Sequence, residues 1–245
     1  MVLKNYNIYF GNKIRIFYTQ KEENILKETE RNFEDAKNEI CKYFDVNIEL
    51  PVFNLFIAEN RGAYDFFVQN YTTIPTSKDR LAQPQLIDLY ILSPNAYNAD
   101  SNYDYAPGYY DKDEYKRLIK HEFIHMFEEY LSPKGSMEVR PLWWGEGLAV
   151  YLSEQYKEEG IFMKYLDEEV KREIPTFEEI VGRKAYIFGW TIIKFLEEKY
   201  GKKLLMRIIK ENNSEDILSS VSISKEKFYD EWKVYLKKNI IKNSV

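Results

Sequence analysis

Apolar positions in this chain recur with two different periods, and the change from one to the other divides the sequence. Residues 13–18 alternate and are rich in β-branched and aromatic side chains after a turn at Gly11-Asn12, which predicts a strand. Ile25, Leu26, Phe33, Ala36, Ile40 and Phe44 then recur three and four apart behind an acidic first turn, which predicts a helix over about 22–44. Pro51 introduces Val52-Phe53-Asn54-Leu55-Phe56-Ile57-Ala58, a nearly continuous apolar run of buried-strand length. A short helix follows over 61–69. Pro75 and Pro84 bracket a polar connection, and Leu86-Ile87-Asp88-Leu89-Tyr90-Ile91-Leu92 predicts a third strand that stops before Pro94.

Beyond residue 111 the helical period takes over. Leu118, Phe123, Ile124, Met126, Phe127, Tyr130 and Leu131 surround most of one helix, which implies burial on several sides. Ser132-Pro133-Lys134-Gly135 breaks it, and Pro141 suits the start of the next, which carries Leu148, Val150, Tyr151 and Leu152. Further helices are expected at 177–181, 186–200, 203–211 and 225–239, the last with Phe228, Trp232, Tyr235 and Leu236 on one stripe. No internal repeat or low-complexity linker interrupts them. The expected class is α+β: one domain over 1–245, with an α/β part at 1–110, a mainly helical part at 111–245, and the first helix of the second part at their junction.

Composition changes this picture mostly by exclusion. The 245 residues suffice for a full core, and 44% hydrophobic and 31% charged residues are ordinary globular values. A net charge of −5 with mixed signs leaves no basic footprint, so nucleic acid is not an expected partner. The 21 tyrosines are read as amphipathic packing rather than a binding platform. One cysteine, Cys41, excludes an internal disulfide and a Cys-rich zinc module, and its place among Ile40 and Phe44 makes it a small buried hydrophobe. The first residues show no charged segment followed by an apolar one, and no apolar run reaches membrane-spanning length. The expectation is a soluble, cytoplasmic chain without a membrane span. Residues 95–111 form a loop rich in Asn, Asp, Tyr, Pro and Gly. Its Asp100-Ser101-Asn102-Tyr103-Asp104 imitates the start of a calcium loop, but Tyr105 and Asp111 stand where glycine and a bidentate glutamate are needed, so it is read as a substrate-facing wall instead.

The chemistry concentrates in His121-Glu122-Phe123-Ile124-His125, which contains both histidines of the chain. Residues four apart share a helix face, so the two imidazoles can hold one metal ion, with Glu122 directed to the ion's open side. Catalytic zinc usually takes three protein ligands and leaves a position for water. With no third histidine available, a carboxylate must serve. Glu146, in Trp143-Trp144-Gly145-Glu146-Gly147-Leu148-Ala149-Val150-Tyr151, is the candidate: the 20 positions after His125, with Pro133 and Gly135 among them, let the chain turn and bring a second helix back antiparallel. A solvated glutamate near a helix start is the plain alternative.

Taken together, His121-Glu122-x-x-His125 and Trp-x-Gly-Glu-Gly-x-Ala-x-Tyr resemble the gluzincin zinc metallopeptidases, above all the compact peptidase MA-like group related to the M1 aminopeptidases. Gly145 replaces the asparagine common in that group. Tyr186-Ile187-Phe188-Gly189 resembles the family's Tyr-x-x-Gly segment, and the likeness spans roughly residues 85–212. The resemblance implies a zincin-like fold, one zinc ion per chain held by His121, His125 and Glu146, Glu122 as general base, and Tyr186 as a donor to the oxyanion. Tyr186 also reads as a core tyrosine beside Trp190 and Ile193. The implied activity is hydrolysis of peptide bonds in a peptide or protein substrate, an extended stretch of which would add to the strand at 86–92 as a sheet edge. Two departures stand out. Val150 occupies the place of an acidic residue that orients a ligand histidine in thermolysin-type sites. Gly135-Ser136-Met137-Glu138-Val139 follows the zinc motif instead of preceding it, so exopeptidase specificity is not implied. The same residues also fit a binding protein that keeps the fold, or a zinc hydrolase of a non-peptide amide or an epoxide.

Overall fold

Both periods reappear as elements of a computed structural model, which describes residues 5–77, 80–97, 112–132, 140–157, 161–211, 217–221 and 223–241. Among the described residues the architecture is α+β, with one mixed sheet of five strands. Of the loop expected at 95–111, residues 95–97 belong instead to a short helix, and 98–111 lie outside the described residues, as do the break at 133–135 and the segment 135–139. The chain divides into two compact units, Met1–Met126 and Phe127–Val245.

In the first unit, β1 (Asn7–Phe10), β2 (Ile14–Tyr18), β3 (Phe53–Ala58), β4 (Ala82–Gln85) and β5 (Asp88–Leu92) lie in the order β1-β2-β3-β5-β4. The central pairs β2/β3 and β3/β5 are parallel, whereas β1/β2 and β4/β5 are antiparallel hairpins at the two edges. Parallel neighbours need crossovers. Helix α1 (Leu26–Phe44), entered through a 3₁₀ turn at Gln20–Ile25, connects β2 to β3, and α2 (Arg61–Tyr71) follows β3. Asn60 caps α2 by accepting the Ala63 amide at 2.9 Å.

Successive side chains of a strand point to opposite faces. Phe53, Leu55 and Ile57 are therefore buried together, and Phe53 meets Phe33 of α1 at 5.5 Å between ring centres. On the opposite face Phe56 stacks on Phe17 at 4.3 Å and on Tyr90 at 4.9 Å, under Phe67 of α2. A four-residue helix, α3 (Pro94–Tyr97), ends the segment after β5.

The strand expected at 86–92 as a sheet edge is β5, and it is interior. Ala82–Gln85 pairs with it on the outer side, Pro84 opposite Leu89. Proline cannot donate to a ladder, so it is confined to edge strands such as this one. Leu86, at φ 55°, makes the tight turn between the two strands.

Helix α4 (Lys112–Leu131) carries the histidine motif and runs across the division between the units. Its path along α1 is fixed by Phe123, whose ring meets Phe33 at 5.3 Å and Phe53 at 5.8 Å, and by Tyr115, whose hydroxyl bonds Thr29 Oγ1 at 2.9 Å. Every residue from His121 to Glu128 is buried, as the apolar pattern on several sides of this helix predicts.

The second unit is helical. It contains α5 (Leu142–Leu152), α6 (Ile161–Arg172), α7 (Arg183–Tyr200), α8 (Lys202–Glu211) and α9 (Lys225–Tyr235), the last continuing as a π-helical stretch, Leu236–Ile241. Helices α5 and α7 cross with their backbones almost touching. A methyl group added at Gly147 would lie 2.7 Å from Gly189 Cα, and one added at Gly189 would lie 2.5 Å from the Trp143 carbonyl oxygen. Trp144, Trp190, Trp232, Phe188 and Phe228 are fully buried in this unit, and Trp232 Nε1 donates to Thr191 Oγ1 at 3.0 Å. No helix among the described residues is long and apolar enough to cross a membrane.

Candidate metal centre

His121 and His125 lie one turn apart on α4 and are 5% and 4% exposed. Their Nε2 atoms are 3.1 Å apart, with the ring planes at 77°. Two nitrogens bound tetrahedrally at 2.0–2.1 Å from one ion are roughly 3.3 Å apart, so the helix alone sets the imidazoles at nearly the spacing of a shared metal. Glu146 enters from α5. Ligand atoms of His121, His125 and Glu146 all lie within 4.8 Å of one another. Glu146 is half-buried as a whole residue, yet its Oε2 is sheltered from solvent, as is His125 Nδ1. The three form a buried cluster that could hold a metal ion.

The donor set fits a cation. Two imidazoles and a carboxylate offer three lone pairs and one negative charge, which suits a divalent ion of intermediate softness better than a hard oxygen-seeking one. Pro141, which precedes the first residue of α5 in an extended conformation, starts that helix four residues upstream of Glu146 and so sets its phase.

Glu122, next to His121 on α4, is 6% exposed. Its charge reaches Tyr64 of α2, whose fully buried hydroxyl is pushed far above the usual tyrosine range by desolvation first and by Glu122 next. Tyr186 does not belong to the grouped residues. It lies in the first turn of α7 and is 37% exposed, while Gly189, three residues on, is the close-packing partner of Gly147. Cys41 is half-buried on α1, and burial pushes its thiol up.

Sequence reasoning missed the charged residues that brace this region. Glu128, one turn beyond His125, accepts from Arg140 Nη1 and, at 2.5 Å, from Trp144 Nε1. Arg140 Nη2 donates to the Ile208 and Ile209 carbonyls at 3.1 and 2.8 Å. Arg140 occupies no periodic position and Glu128 reads as one more polar residue of α4; only the place of Arg140 immediately before Pro141 and two tryptophans hinted at a role.

No protein-family model matches this chain, and no curated protein matches it.

Proposed function

We propose that this chain is a zinc-dependent peptidase of the gluzincin type, with a zincin-like fold and one zinc ion held by His121, His125 and Glu146. The observation that carries the reading is the convergence of two buried histidines from one helix turn with Glu146 of the next helix, whose Oε2 is sheltered from solvent. Two histidines and a glutamate are the protein ligands of catalytic zinc sites that keep a fourth position open. When bound there, zinc supplies Lewis-acid polarisation of a substrate carbonyl and acidifies water towards a pKa of about 7.

The chain's own groups do the rest. The Glu122 carboxylate, adjacent to the ligands on α4, takes a proton from the attacking water and returns it to the departing amine nitrogen as the C–N bond breaks. The low exposure of Glu122 and both histidines keeps bulk water from competing for these transfers. The Tyr186 hydroxyl donates to the developing oxyanion. Phe123, clamped between Phe33 and Phe53, holds the motif helix so that Glu122 and the imidazoles keep a fixed relation.

The test compares wild type and Glu122→Gln on a peptide library, with zinc content measured on the same samples. The variant is expected to retain zinc and to lose at least about 10²-fold in rate, the range for general acid–base catalysis. Equal cleavage by the two proteins, or none by either, refutes the peptidase reading.

A further inference from the structure

Arg140 and Glu128 form a charge pair whose side chains are each 3% exposed. Burying two charges costs so much desolvation that such a pair adds little net stability over apolar residues of similar size. What it adds is geometry. The guanidinium is a planar fork with fixed donor directions. One arm donates to Glu128 Oε1 on α4, and the other to the carbonyls of Ile208 and Ile209. Those two oxygens belong to the last turn of α8, where the helix presents its negative end, so the cation also suits that end. The same Glu128 oxygen accepts Trp144 Nε1 from the first turn of α5.

The brace lies close to the proposed ligands in sequence and in helical turn. Glu128 is three residues from His125, about 4.5 Å along α4 at 1.5 Å per residue. Trp144 is two residues from Glu146, about 3 Å along α5. Arg140 stands directly before Pro141, where α5 begins. The hydrogen bonds of this pair therefore fix the register between the helix that carries both imidazoles and the helix that carries the carboxylate.

We propose that Arg140 and Glu128 are positioning residues for the metal centre, acting through α5 to hold the Glu146 carboxylate against His121 and His125. The inference rests on the zinc reading above and deepens it.

The test uses the full chain and zinc itself, with affinity measured by competition against a chromophoric chelator and the melting temperature of the metal-free protein as a second readout. The paired variant Glu128→Met with Arg140→Met removes both charges and leaves neither buried alone. It is expected to melt near the wild-type temperature and to bind zinc at least 10-fold more weakly. Arg140→Lys, which keeps the charge and loses the fork, is expected to fall between. In a Glu146→Ala background the paired variant is expected to cause no further loss, because the route through which it acts is already gone. Unchanged affinity in the paired variant, or the same fold-loss with and without Glu146, overturns the inference while leaving the zinc reading intact. Wild-type protein that takes up no zinc overturns both. Should the paired variant not fold, Trp144→Phe deletes one donor to Glu128 and keeps most of the ring volume. A several-fold weakening that vanishes in the Glu146→Ala background is then expected, and wild-type affinity overturns the inference.

Discussion

Replacing Gly147 with alanine sets two effects of opposite sign against each other. In an isolated helix the change is favourable by roughly 1 kcal/mol, because glycine loses more backbone entropy on folding than alanine. In this chain the added methyl would lie 2.7 Å from both Cα and O of Gly189. Carbon atoms in good contact are about 3.5–4.0 Å apart, so α5 and α7 must separate by about 1 Å. The obstruction is backbone, and no rotamer change relieves it. Overpacking of this kind costs typically about 1–3 kcal/mol, and a backbone clash belongs at the upper end. The net expectation is destabilisation by about 2 kcal/mol, or a melting temperature lower by about 4–8 °C for a chain of this size. Thermal unfolding followed by circular dichroism measures it. A melting temperature equal to or above wild type would mean that helix propensity wins, and that α5 and α7 do not cross closely at Gly147 and Gly189.

Two further outcomes are expected. Glu22 is 2% exposed and accepts from Ser93 Oγ and, at 2.9 Å, from Asn95 Nδ2. Burial raises its pKa, nearby Glu59 adds to the rise, and the two hydrogen bonds oppose it. A carboxyl raised in the folded state contributes stability that is full below its unfolded value of about 4.3 and is lost as pH rises through the folded one. The stability of Glu22→Gln relative to wild type should therefore increase with pH across that window, as read from denaturant midpoints; a constant difference refutes it. Tyr186→Phe should lower kcat by about 10²-fold, the order expected for one oxyanion donor, with zinc content unchanged. A fully active variant would remove Tyr186 from the chemistry.

The elements that the sequence announces most clearly are those with an uninterrupted period. The helix around Phe33 and Ile40, the apolar strand around Leu55 and the motif helix all lie where spacing predicts them, within a few residues. Strand β4 is hidden because Pro84 reads as a loop signal, and its turn uses Leu86 at positive φ where glycine or asparagine would have given it away. Strand β1 is hidden for another reason. Three of its four residues are exposed, so its apolar side chains mark no buried face. At the site, the ligand spacing on α4 is a local property and could be read directly. The approach of Glu146 depends on where α5 starts, which Pro141 indicates. The Arg140–Glu128 brace depends on which carbonyls of α8 come within reach, and no one-dimensional pattern records that.

Metal content of the purified chain and of two ligand variants decides whether His121, His125 and Glu146 hold an ion together. About one zinc per chain is expected in wild type as purified, with far less than one in both His125→Ala and Glu146→Ala, whose remaining ligands take up the ion only weakly when it is added. Wild-type protein without zinc, or Glu146→Ala that keeps it, would contradict a centre built from His121, His125 and Glu146.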